Sequence, residues 1–419
     1  MTIPELLDCS YKERKKSQHD VHMDFAKYTA GMRTLEQTLA QPNTEQGKKS
    51  IYIHVPYCKK ICSFCNMRRT INPVPNDYAD LVIRQIEAYG KTEYVKTSTI
   101  TSVYFGGGTP TTLPSEQLAA ILQALYHNFN IDKNAEISME TTVSELDDEK
   151  LGVLFQNGLN RFSIGVQTFN DEGRKTLGRI GSGKKAEVLI KKAFKAGFKN
   201  VNIDIIYNYP HETETIVRED LRRAFDLDIA GFSFYSLIVS DASKIGALYQ
   251  DTAEKKFEND ACFFLAIVDE GRKAGYDFLE ITKLVKPGRD TYEYIRSGHT
   301  GGDIFPVGAG AGGSINSTSF MNPLKNDTFT EQAIALKTMG MSVKPEYKRI
   351  KRFSGLLQEG IIATELLTEE ELEKAGVLMT RLEKEGLIHQ KQDAGRRTFT
   401  DKGFFWGNSL AADFVSNLF

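Results

Sequence analysis

"IYIHVPYCKKICSFCNM" (residues 51–67) runs from a β-branched and aromatic stretch straight into three cysteines, Cys58, Cys62 and Cys65. The first five residues read as a strand and the remainder as a loop at its C-terminal end. Working outward, the same kind of strand recurs at "SVYF" (102–105), "EISME" (136–140), "RFSIGV" (161–166), "NVNIDII" (200–206) and "GFSFYSL" (231–237). Between them lie stretches with helical spacing, such as "DYADLVIRQIEAYG", "PSEQLAAILQALYHNF" and "KKAEVLIKKAFKAGF". Several open on Asp, Ser or Pro and close near Gly, as helix capping requires. Six strand–helix units predict an α/β fold, a partial (β/α)6 barrel with its active site at the C-terminal ends of the strands. A doubly wound sheet shares this periodicity and remains the rival arrangement.

Outside residues 51–280 the pattern changes. Residues 1–50 are polar and irregular with one amphipathic stretch, expected to pack on the barrel's outside. Residues 281–325 are rich in Gly and Asn and read as an extended connection over the barrel mouth. From 326 to 419 the chain is helical, with a hairpin expected at "GLIHQKQDAGRRTFT" (386–400) and a helix at the end, the order of a winged helix.

Lys and Arg number 53 against 55 Asp and Glu, a formal charge of −2, so there is no basic surplus for a nucleic-acid backbone and the winged-helix order does not read as DNA binding. No run approaches the ~18 apolar residues of a membrane span. The first residues carry no apolar signal-peptide core, and five cysteines, an odd number, argue against a secreted disulfide framework. A cytoplasmic setting is expected.

The C-x3-C-x2-C spacing has three readings. A chance cluster of buried thiols is one. Zinc is another, although structural zinc favours four ligands and neither Cys9 nor Cys262 stands near. The third is a [4Fe–4S] cubane, where three thiolates leave one iron open to a ligand.

With Phe64 just before the last cysteine, the motif resembles the radical S-adenosylmethionine (SAM) superfamily, in which the amino-acid end of SAM chelates the open iron. "YIHVPYC", "YFGGGTPTTL", "RFSIGVQTF", "LGRIG" and "NIDIIYNYP" resemble its oxygen-independent coproporphyrinogen III oxidase-like branch, over roughly residues 50–240. The resemblance implies the [4Fe–4S] cluster, SAM, and a flavodoxin- or ferredoxin-like electron donor. It gives Gly106, Gly107, Gly108 and Thr109 a place beside the methionine ammonium, with no Cβ on the glycines to block approach. Glu140 and Gln167, at strand ends, fall where the family places SAM contacts. Arg179 resembles the arginine that meets the SAM carboxylate, and Asp204 would meet the ribose. Tyr52 and His54 belong to the matching signature and are the catalytic candidates.

"VGAGAGGSIN" (307–316) contains G-x-G-x-x-G, but "SINSTSF" is a poor helix start, so a dinucleotide fold is rejected. Gly308 and Gly310 are expected instead to let backbone approach a flat ligand or a second SAM. The hallmark coproporphyrinogen oxidase motif continues as C-G-C, whereas "CNM" (65–67) departs from it; the haem-chaperone motif H-N-x-x-Y-W is absent from residues 287–303. "FPVGAGAGGSINSTSFMN" (305–322) is similar to the anaerobic haem-degrading group, the anaerobilin synthases, which use two SAM molecules in methyltransferase-type chemistry on a porphyrin; another two-SAM methylation or cyclopropanation is the alternative within that group. Haem asks for an apolar slot and cations. Arg68, Arg69, Tyr235, Arg289 and His299 are the candidates for touching it.

Overall fold

A computed structural model describes residues 1–20, 25–45, 47–239, 244–249, 251–390 and 396–419. The strands are, in chain order, β1 (Thr29–Thr34), β2 (Lys49–Val55), β3 (Thr99–Gly107), β4 (Asn130–Thr142), β5 (Arg161–Gln167), β6 (Asn200–Tyr207) and β7 (Gly231–Ser236). There follow β8 (Asp277–Glu280), β9 (Lys283–Val285), β10 (Asp303–Val307), β11 (Gly312–Ile315), β12 (Thr318–Met321) and β13 (Met339–Val343).

From β2 to β7 the strands lie side by side in chain order, every pair parallel. A doubly wound sheet would reverse direction at its middle; this one does not, and it is a partial (β/α)6 barrel. Each strand is followed by a helix, from Tyr78–Gly90 after β2 to Ala253–Lys273 after β7. Ser182 caps the helix Gly183–Lys195 by accepting from the Lys185 N–H, and Thr213 and Thr252 do the same at the heads of theirs.

Strand alternation divides the residues between two faces. Ile51, Ile53 and Val55 of β2, and Phe162, Ile164 and Val166 of β5, are fully buried in the apolar core. Tyr52, Tyr104, Ser163, Asp204 and Tyr235 take the other face, inside the barrel. A polar barrel interior is costly unless satisfied, and here it holds the cavity and the ion pairs beneath it.

Residues 281–325 are more ordered than an extended connection, and they do not cover the mouth. β9 pairs antiparallel with β7, and β10 pairs parallel with β2, so the segment extends both sides of the barrel sheet. Between them the helix Glu293–His299 crosses the N-terminal ends of the strands: the Glu293 carboxylate takes Lys48, and its N–H donates to Glu136 at 3.0 Å. β11, β12, β13 and β1 then continue the sheet antiparallel, so part of the N-terminal region is a strand.

The C-terminal helices Pro345–Gln358, Glu369–Lys384 and Gly407–Leu418 pack together, with Ile361–Ile362 paired to Arg397–Thr398. Of the hairpin expected at 386–400, residues 391–395 lie outside the described residues; Ile388 bridges Phe399 on either side of them. Among the described residues no helix is long and apolar enough to cross a membrane.

Candidate active site

A cavity of about 470 Å3 opens at the C-terminal ends of the barrel strands. Cys58, Cys62 and Cys65 all line it. Their loop is pinned at both ends: the Cys58 N–H donates to Thr70 at 2.9 Å, and the Ser63 hydroxyl donates to the Thr176 carbonyl at 2.7 Å. Gly178 permits that docking, since a Cβ there would stand 3.0 Å from the Ser63 nitrogen at a φ of +68°.

Among the described residues no three or more His, Cys, Asp or Glu side chains gather as one metal ion requires. A cubane makes no such demand, because each thiolate binds its own iron. The surroundings fit the cluster: Arg179 donates to Cys62 Sγ at 3.1 Å, and Cys58 Sγ lies 3.5 Å from Thr109 Oγ1. Burial raises the Cys58 thiol's pKa, and a metal that takes the thiolate offsets that cost.

The SAM candidates stand around the same cavity. Gly107, Gly108, Thr109, Glu140, Gln167, Arg179 and Asp204 all line it; Gly106 sits one residue back against Tyr104, Tyr52 and Glu140. The N–H groups of Gly108 and Thr109 are spent on Val55 and Tyr57, at 2.8 and 2.9 Å. An ammonium, a pure donor, is left with carbonyls and with Glu140 as acceptors. Burial pushes the Glu140 carboxyl up to about 7, opposed in part by the Tyr104 hydroxyl donating at 2.6 Å and reinforced by Asp204. Gln167 sits at a φ of 71°, where a non-glycine residue is strained by about 1–3 kcal/mol. Its Oε1 is buried without a partner, as is the Arg179 Nε, while another Arg179 nitrogen holds the Gly165 carbonyl. Orphaned polar atoms aimed around one cavity fit a polar ligand such as SAM.

A model of the radical SAM superfamily matches residues 52–224. The chain belongs to the radical SAM superfamily, in its coproporphyrinogen oxidase and haem-chaperone branch. The protein is similar to an anaerobilin synthase of Escherichia coli O157:H7, 28% identical over 89% of this chain and 85% of the relative. It is equally similar to the haem chaperone HemW of Lactococcus lactis, 28% identical over 88% of this chain and 98% of the relative. Its fold matches the structure of coproporphyrinogen III oxidase (HemN) from Escherichia coli with a TM-score of 0.74, at 21% identity over 91% of both chains.

Several radical SAM candidates stand elsewhere than the sequence suggests. Tyr52 Oη and His54 Nδ1 pair at 2.9 Å on the interior face of β2, but neither side chain lines the cavity. The His54 ring lies behind Gly107, whose missing Cβ would meet it at 2.6 Å, and burial lowers its pKa to about 4. Gly308 and Gly310 approach this same histidine and do not line the cavity: a Cβ on Gly308 would stand 2.5 Å from the His54 carbonyl. Arg289 donates to Asp228 and to the Lys199 carbonyl, at the N-terminal ends of β6 and β7. His299 faces Glu359 at 3.4 Å, beside the C-terminal helix. Both therefore lie at the end of the barrel opposite the cysteines. Arg68 is exposed on the loop after the cysteines, while Arg69 lines the cavity but turns its guanidinium onto the Cys65 and Met67 carbonyls. Of the substrate candidates, Tyr235 faces the cavity openly, at 41% exposure.

The cavity floor escaped sequence reasoning altogether. Arg161, fully buried, holds Asp290 through two bonds of 2.9 and 3.0 Å, and Lys283 reaches Asp290 at 3.3 Å. Burial alone would raise the Asp290 pKa, but these two cations outweigh it and hold the carboxyl low. Tyr292 lies over the pair, 4.4 Å from the Arg161 guanidinium to its ring centre, and lines the cavity. Tyr294 stacks on Tyr104 at 4.5 Å. Nothing in the run "RDTYEYI" signals this role, because it depends on pairing with residues about 130 positions away.

Proposed function

We propose that this protein is a radical SAM enzyme of the methyltransferase type that uses two SAM molecules to attack a porphyrin meso carbon, opening haem to a linear tetrapyrrole with release of iron. The observation that carries the reading is the rim of the cavity. Ile61, Met67, Ile180, Tyr235 and Ile238 all line it, and each is 41–56% exposed. Apolar side chains gathered this way around a polar cavity suit a flat apolar ligand laid across the opening. The match to the anaerobilin synthase over most of the chain supports the same substrate class.

In this reading Cys58, Cys62 and Cys65 hold the cluster, and Arg179 steadies the Cys62 thiolate. Glu140, Gln167 and Asp204 bind and orient SAM, and the apolar rim keeps water from the reacting centre. Bound there, the cluster and SAM supply one-electron radical chemistry, fed by a flavodoxin- or ferredoxin-like donor. A second reading, a haem chaperone that binds without transforming, is favoured by the equal likeness to HemW, and the same rim would serve it.

The test is anaerobic. Reconstituted protein is mixed with a strong reductant, SAM and haem, and the haem absorption band is followed beside the release of 5′-deoxyadenosine. Haem consumed in step with SAM cleavage is the expected result. Haem bound and spectrally intact would favour the chaperone, and haem ignored while SAM is cleaved would overturn the tetrapyrrole reading.

A further inference from the structure

Tyr292 combines four features that its packing alone does not require. It lines the cavity beside Tyr235 and Asp204, with its ring centre 6.4 Å from that of Tyr104 on β3. Its backbone adopts φ 47° and ψ 52°, a left-handed conformation that a bulky residue rarely takes unless its surroundings impose it. Those surroundings do impose it: Asp290 accepts the Tyr292 N–H at 3.2 Å while bonded to Arg161, Lys283 and Asn200. Finally, its hydroxyl makes no hydrogen bond to any described residue; the phenols of Tyr78, Tyr89, Tyr94 and Tyr104 do, while that of Tyr57, which does not line the cavity, makes none either. A rigidly placed donor without an internal partner, at a cavity wall, is fitted to an acceptor on a bound molecule.

We infer that Tyr292 is a substrate-contacting residue whose hydroxyl donates a hydrogen bond to the tetrapyrrole, and that Asp290, anchored by Arg161 and Lys283, is its positioning residue. This rests on the tetrapyrrole reading above. Asp204, a SAM candidate, also faces Tyr292, so the SAM titration beside the haem titration decides which ligand the hydroxyl meets. The Tyr292→Phe variant keeps the ring over Arg161 and deletes only the hydroxyl.

The experiment titrates the anaerobically reconstituted full chain with haem and, separately, with SAM, in wild type, Tyr292→Phe, Asp290→Asn and the double variant. Tyr292→Phe is expected to weaken haem binding roughly threefold to tenfold, the reach of one neutral hydrogen bond, and to leave SAM affinity unchanged. Asp290→Asn is expected to weaken haem binding as well, and adding Tyr292→Phe to it should cost less than Tyr292→Phe costs alone, because both act through one hydroxyl. Additive losses would reduce Asp290 to a structural role and overturn that half of the inference. Unchanged haem affinity in Tyr292→Phe, or a loss confined to SAM, would overturn the inference while leaving the tetrapyrrole reading intact. Wild-type protein that binds no haem would overturn both.

Discussion

Glu140 shows how far a single residue's environment can be read into a measurement. Its carboxyl rises to about 7 because burial outweighs the Tyr104 hydrogen bond. A folded-state pKa above the unfolded value makes the native state hold the proton longer, so stability falls as pH rises from about 4.5 to about 7 and levels off beyond. Glu140→Gln removes that penalty and keeps an acceptor for Tyr104. Thermal melts without SAM should show the variant more stable than wild type at pH 8, by at most about 3 kcal/mol, with the gain gone near pH 4.5. A gain that persists at low pH would assign the effect to packing. The residue scale is also where sequence reading was most uneven. Cys58, Glu140, Gln167, Arg179 and Asp204 line one cavity, and it was the resemblance of their motifs to a known family, rather than spacing alone, that grouped them in the sequence. Arg289 and His299 were not legible, because their place in the chain does not say which end of the barrel the next segment crosses.

At the scale of elements, β3 and its glycine turn control the interior. Gly107 has a φ of +113°, and a Cβ there would strike the His54 ring at 2.6 Å. His54 has little room to retreat, with Tyr52 on one side and Gly310 behind. Gly107→Ala is therefore expected to lose SAM binding by tenfold or more and to lower the unfolding midpoint, both read in one calorimetric series. Wild-type affinity in that variant would mean that the turn does not shape the SAM site. The six βα units were legible because strand and helix periods are local properties. β11 and β12 were not: "GGSI" and "TSFM" carry no hydrophobic run, and pairing with β10 and β13 is what makes them strands.

At the scale of the whole molecule, the N-terminal segment ties the barrel to the C-terminal helices. Arg14 donates to Asp260 at 2.8 and 2.9 Å, to the Tyr207 hydroxyl at 3.0 Å and to the Phe405 carbonyl at 2.6 Å, and its guanidinium lies 4.3 Å from the Phe405 ring centre. Trp406 donates its indole N–H to the Leu6 carbonyl at 3.0 Å. Breaking a buried pair from one side leaves an uncompensated charge. Arg14→Ala should therefore cost about 3–5 kcal/mol in urea unfolding, and Arg14→Lys should recover only part, since an ammonium cannot reproduce the guanidinium's fork. A loss below about 1 kcal/mol would mean that Lys16, 3.5 Å from Asp260, compensates alone. Sequence placed residues 1–50 near the barrel but gave no sign of this bridge, which joins positions hundreds of residues apart. The central claim concerns the whole molecule as a catalyst, and product mass tests it most directly. Haem is incubated anaerobically with the reduced protein and SAM carrying a deuterated methyl group. A linear tetrapyrrole bearing a SAM-derived, deuterium-labelled carbon is the predicted result; a tetrapyrrole recovered without any SAM-derived carbon would contradict it.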